Sequence, residues 1–169
     1  LEDSAERRRA WRLEREARDL ERTATVKDFS RKEWDCTAKN PRDMYAARDC
    51  LAKITGQYQN TTVRWTGNVR FQSEVVGATA TGYGFYASEG PIYFYVELKR
   101  GSEAFNLMMD KNTVWGPRLD PRRSAPGFTI TGKFSGWKGA IPSQCAGRNM
   151  GCYVPMIQIS SRRQFQQND

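Results

Sequence analysis

The chain has 169 residues, four cysteines (36, 50, 145 and 152) and no histidine. Without an imidazole, Ser-His-Asp and Cys-His nucleophilic catalysis, His-ligated zinc and histidine acid–base work are all excluded. No two cysteines are spaced as Cys-x-x-Cys, whereas an all-cysteine zinc site uses two close pairs. No metal and no cofactor is therefore expected, and the chemistry left to the cysteines is oxidation. Cys145-Ala-Gly-Arg-Asn-Met-Gly-Cys152 closes a short, glycine-containing loop that reaches disulfide distance easily. Cys36 and Cys50 are the natural second pair. Four reduced thiols are the other reading, and four cysteines allow three pairings. Two bridges would place the protein in a periplasm, a secretory lumen or outside the cell.

The carboxylates Glu74, Glu89, Glu97, Glu103, Asp110 and Asp120 are scattered, with no spaced pair to act as general acid and base. The glycines from Gly77 to Gly84 lack the Lys-Ser/Thr ending of a phosphate loop. The chain is expected to bind rather than catalyse. Its net charge of +8 suits an anionic partner. Arg118, Arg122 and Arg123 sit among Pro117, Pro121 and Pro126. The prolines stiffen that loop and hold the guanidinium groups outward, toward phosphate, lipid headgroups, acidic polysaccharide or an acidic protein surface. A merely solvated charge run is the plainer reading. Asn60-Thr61-Thr62 is a glycosylation sequon, relevant only in a eukaryotic source.

These residues need a scaffold. Residues 1–33 are dense in Arg and Glu, lack Gly and Pro, and balance to +1, so the basic excess belongs to the rest of the chain. Ala10, Leu13, Ala17, Leu20 and Ala24 recur at alternating three- and four-residue steps, which makes one narrow helical seam. Ser4 is the expected N-cap, and Glu14 precedes Arg18 in the favourable order. This segment reads as a charged helical stalk or linker. It is either a spacer lying on the domain or a coiled-coil element joining it to an oligomer, a partner or an upstream membrane anchor. The chain begins at Leu1 rather than Met, as a processed form would, and no run approaches the roughly 18 apolar residues of a membrane span. Over 34–58 a second helix is expected to pack on the domain, opened by Asn40-Pro41, carried by Met44, Ala47, Leu51 and Ile54, and closed at Gly56.

From Gln59 the apolar period becomes two. Val63, Trp65, Gly67, Val69 and Phe71 alternate with polar residues. Ala78 to Ala87 reads as a second strand bent at Gly82 and Gly84, and Glu89-Gly90-Pro91 as a turn. Ile92, Phe94, Val96 and Leu98 then face one way. A long connection, 100–127, carries a short helix around 103–109. Phe128, Ile130, Gly132 and Phe134 alternate again, and Tyr153 to Ser160 makes the last strand with Ile157 and Ile159 inward. The tail, 162–169, is expected to fray.

Three strands, a helix-bearing connection and two more strands, with glycine inside Val63-Arg64-Trp65-Thr66-Gly67-Asn68-Val69 and Phe128-Thr129-Ile130-Thr131-Gly132-Lys133-Phe134, resembles the OB-fold superfamily over about residues 60–161, within an expected barrel domain 59–161. The resemblance implies a mainly β domain with N-terminal helices: a five-stranded OB-like β-barrel preceded by a long charged helix and a short one. OB-folds bind across their second and third strands, which here offer Tyr93, Tyr95 and Tyr83 or Tyr86 beside Arg64, Arg70 and Lys133. Such a face suits a protein partner in an envelope or secretory assembly. The alternative is a single-stranded nucleic acid, whose bases stack on aromatic rings while cations follow the phosphates.

Overall fold

A computed structural model describes residues 2–67, 76–79, 82–110, 112, 127–145, 148 and 151–167. Helix α1 (Glu2–Thr23) is followed by α2 (Val26–Lys39) and α3 (Met44–Tyr58). Four strands come next: β1 (Thr62–Gly67), β2 (Val76–Thr79), β3 (Gly82–Glu89) and β4 (Ile92–Leu98). Helix α4 (Glu103–Met109) precedes β5 (Phe128–Ala140), β6 (Cys152–Ile159) and β7 (Phe165–Gln167).

The 1–33 stalk is in fact two helices. Thr25 breaks the chain: its Oγ1 accepts the Asp28 N–H at 3.2 Å and caps α2. Ser4 lies inside α1 and is not its cap, and Ala24 is buried in the domain core beyond the end of α1. Helix α2 presents Val26, Phe29 and Cys36 to that core, the spacing of one helical face. Asp43 caps α3 through the Ala46 N–H at 3.0 Å. Gly56, expected to close this helix, sits inside it, because the ladder continues to the Gln59 N–H on the Thr55 carbonyl.

The strands form one mixed sheet in the order β1-β5-β6-β4-β3-β2, with β7 beside β5. All pairings are antiparallel except β4 with β6, which is parallel. The fold is therefore mixed α/β, with an open sheet in place of the expected five-stranded OB-like barrel. The 78–87 stretch is divided between β2 and β3, which pair antiparallel with Val76 opposite Gly84. Thr79 stands opposite Gly82, and both Gly82 and Gly84 belong to β3, so the stretch does not run as one strand. Strand β5 serves three neighbours, pairing β1 over 128–133, β7 over 128–130 and β6 over 133–140, with a register shift between Phe134 and Gly136. Gly132 is required here, since a Cβ would stand 2.6 Å from the Gln158 carbonyl oxygen. The tail does not fray through Gln167: Phe165 is buried and β7 extends the sheet.

The inner face carries Val63, Trp65, Phe85, Phe94, Val96, Phe128, Ile130, Phe134, Ile157 and Ile159, all buried. Phe29 enters from α2, stacks on Phe134 at 4.4 Å and meets Tyr58, Trp65 and Trp137 edge-on. The Trp65 indole N–H donates to the Ala24 carbonyl at 2.8 Å, which fixes the chain where it enters α2.

Candidate functional site

The cysteines pair as Cys36–Cys50 and Cys145–Cys152, with Cα separations of 5.5 and 5.8 Å. All four thiols are consumed, so no cysteine is left as a nucleophile or metal ligand. The first bridge ties α2 to α3. The second closes the loop before β6.

The tyrosine face differs from the one expected. Tyr95 is only 5% exposed and packs edge-on against Tyr86 at 5.0 Å. The Tyr86 hydroxyl donates to the Gly139 carbonyl at 2.7 Å, and the Lys138 ammonium lies 5.1 Å from the Tyr95 ring centre. Gly84 makes room for that ring, because a Cβ there would overlap it. Burial, reinforced by Tyr86 and Glu97, pushes the Tyr95 phenol up to about 12, and burial also raises Tyr86. Tyr95 and Tyr86 thus form a small second core and do not present stacking faces. Arg64 and Lys133 are exposed on β1 and β5. Lys133 is in register with Gln158, which donates to Glu97 at 2.8 Å, so a hydrogen-bonded polar pair stands between Lys133 and the tyrosines. Arg70, the loop Arg118, Arg122 and Arg123, and the side chains of Tyr83 and Leu20 lie outside the described residues.

A groove forms instead where β4 and β6 separate. Their parallel ladder starts at Tyr95 opposite Met156, immediately after Pro155, which has no N–H to give a ladder. Toward the strand starts the two diverge, until Ile92 bridges to Cys145. The opening, about 320 Å³, is lined on the sheet side by Tyr93, Tyr153 and Val154 and on the helix side by Lys27, Arg31 and Trp34 of α2.

Its walls are braced by a pair that the sequence did not signal. Glu33 is 3% exposed on α2, and Arg148 from the Cys145–Cys152 loop grips it as a fork: Nη1 to Oε1 at 2.9 Å, Nη2 to Oε2 at 2.8 Å. Arg148 Nη2 also donates to Thr37 Oγ1 at 3.1 Å, and the guanidinium stacks 4.5 Å from the Trp34 ring centre. The Tyr153 N–H makes a long 3.5 Å contact to the same Glu33 oxygen. A bidentate arginine–carboxylate pair is among the strongest and most directional polar contacts, and here it locks α2 to the disulfide loop. Lys27, Arg31 and Trp34 follow one another on one side of α2 at four- and three-residue steps, and all three are exposed.

Of the expected seam, Ala10 and Ala17 are exposed, as is Leu13 at 59%, whereas Ala24 is buried. No described helix is long and apolar enough to cross a membrane. No protein-family model and no curated protein sequence matches the chain.

Proposed function

We propose that this chain is a non-catalytic protein-binding module of an oxidising compartment, an assembly component on an OB-like scaffold that docks a partner in the groove between α2 and the β4/β6 opening. The observation that carries this reading is the bracing of that groove. Two disulfides and the Glu33–Arg148 fork immobilise both walls while leaving Trp34 54% exposed. Rigid walls lower the ordering cost of binding, and Trp, Tyr and Arg are the residue types that dominate interface energetics. The two bridges favour a periplasm, a secretory lumen or the extracellular space. Helix α1, with Ala10, Leu13 and Ala17 in solvent, supplies a spacing or assembly element. The order of parts supports the OB-like kinship: β1, the β2–β3 hairpin, β4, a helix-bearing connection, then β5 and β6.

The nucleic-acid reading loses its principal support with Tyr95 packed away. A photo-crosslinking residue at position 34, in protein produced in its native host, tests the proposal. A covalent protein adduct, formed at position 34 and absent for the same residue at exposed Lys133 on the sheet, is the expected result. Adducts to nucleic acid, or equal labelling from both positions, overturn it.

A further inference from the structure

The groove has a charge and a size that select among partners. Lys27 and Arg31 stand one helical turn apart on its rim, exposed, and neither forms an ion pair among the described residues. Among the described residues that line the groove the carboxylate is Glu33, which is already committed to Arg148 and faces the Tyr153 N–H. It therefore cannot neutralise the rim. Arg148 is in turn spent on Glu33 and on the Trp34 face. The groove rim consequently presents two cations without an ion pair among the described residues, beside an indole and two phenols, Tyr93 and Tyr153, while Asp28 and Asp35 lie on the far side of Arg31.

Building on the docking role proposed above, we infer that the groove takes an acidic, extended polypeptide segment of a partner protein, with carboxylates meeting Lys27 and Arg31 and a neighbouring apolar side chain entering beside Trp34. Two observations favour a peptide over a nucleic-acid strand. The opening of about 320 Å³ holds only one or two side chains, with the bridged Ile92 and Cys145 in its lining. A strand of bases needs successive stacking platforms along a continuous basic track. Here Asp28 and Asp35 interrupt the charge of α2, and Tyr86 and Tyr95 are buried. A lysine and an arginine at single-turn spacing match the separation of carboxylates on alternate residues of an extended chain, about 6.5–7 Å apart.

The probe is a fluorescein-labelled peptide of alternating glutamate and leucine, with the lysine–leucine peptide and a single-stranded oligonucleotide of equal charge as controls, read by anisotropy on the oxidised protein at low salt. The glutamate peptide is expected to bind, the lysine peptide to fail, and K27E/R31E to weaken the glutamate peptide at least about tenfold, equivalent to about 1.4 kcal/mol. R64E/K133E, equal in charge change but on the sheet, should leave binding within about twofold. Glutamate-peptide binding that survives K27E/R31E, or an oligonucleotide that binds more tightly and is lost in the same variant, overturns the inference. A partner crosslinked at position 34 through a segment without carboxylates overturns the acidic-segment assignment alone and leaves the docking role standing. Failure of both the peptide and the crosslink overturns both.

Discussion

Helices α1 and α2 are neighbours in the chain and both rich in charge, α1 in arginine and acids, α2 in lysine and acids, yet they belong to different parts of the molecule. Over the residues whose side chains are described, α1 is exposed throughout. It shows Trp11 at 62% and Leu13 at 59%, and its Glu14–Arg18 pair is long, at 3.9 Å between two solvated side chains. Such a pair contributes a few tenths of a kcal/mol at most. Helix α2 buries Val26, Phe29, Glu33 and Cys36, and each meets something distant in sequence: the aromatic core, Arg148, Cys50. Charge density does not separate a stalk from a structural helix. The size of the residues on one face does, together with whether a polar residue on that face has a partner waiting.

If that contrast holds, truncating Phe29 should be the most damaging change in either helix. Phe29 is about 1% exposed and touches four other rings. Phe29→Ala is expected to cost about 3–5 kcal/mol, read as a drop in urea midpoint at unchanged slope. Leu13→Ala on α1 should stay within about 0.5 kcal/mol.

The buried pair gives the next effect. Arg148→Met strands the Glu33 carboxylate and is expected to cost about 3 kcal/mol, whereas the double change Arg148→Met/Glu33→Leu should recover most of it. A double variant as unstable as the single would mean that the loss arises from the arginine stem and its Trp34 stack rather than from an orphaned charge. Because this cycle measures the brace and not the ligand rim, it also shows whether groove rigidity and groove charge are separable.

Alkaline titration compares the tyrosine face with both helices. The folded state holds the Tyr95 proton up to about 12, against an ordinary value near 10. The contribution is therefore complete below pH of about 10 and is lost as pH rises through about 12, an effect of about 2–3 kcal/mol across that window. Tyr95→Phe should flatten the fall in stability between those limits while behaving like the parent at neutral pH. An unchanged alkaline profile would assign the fall to other groups.

Much of this was readable from local pattern. The disulfides followed from loop length and pairing count, α4 from a run of helix formers, and β5 and β6 from strict alternation, because each signal lies within a dozen or so neighbouring residues. Helix α2 was missed for two reasons. Glu33 occupies a core position where the pattern demands an apolar residue, and the Thr25-x-x-Asp28 start signal is submerged in a continuous charge run. The groove was beyond reach: it depends on a parallel pairing of β4 with β6 and on a contact between Glu33 and Arg148, 115 residues apart. Tyr95 was misplaced because alternation assigns it to the solvent side of β4, and only the arrival of Tyr86, Lys138 and a side-chain-free Gly84 turns that side into a second core.

The smallest expected change in stability bears most directly on what α1 is for. Its seam positions fall on one side of a regular helix, yet the described members, Ala10, Leu13 and Ala17, rest on nothing in the domain. Charging the seam with Leu13→Glu should therefore shift the unfolding midpoint by less than the equivalent of about 0.5 kcal/mol. An isolated helix gains little from so thin an apolar stripe, so the side chains have energetic meaning only against a second surface. Sedimentation of the parent and the variant at several concentrations separates the cases. Association that is present in the parent and lost in the variant, at constant stability, makes α1 an assembly element. Unchanged sedimentation at constant stability reduces it to a spacer. A fall in stability would mean that the seam packs on the domain, and would remove the contrast between the two helices altogether.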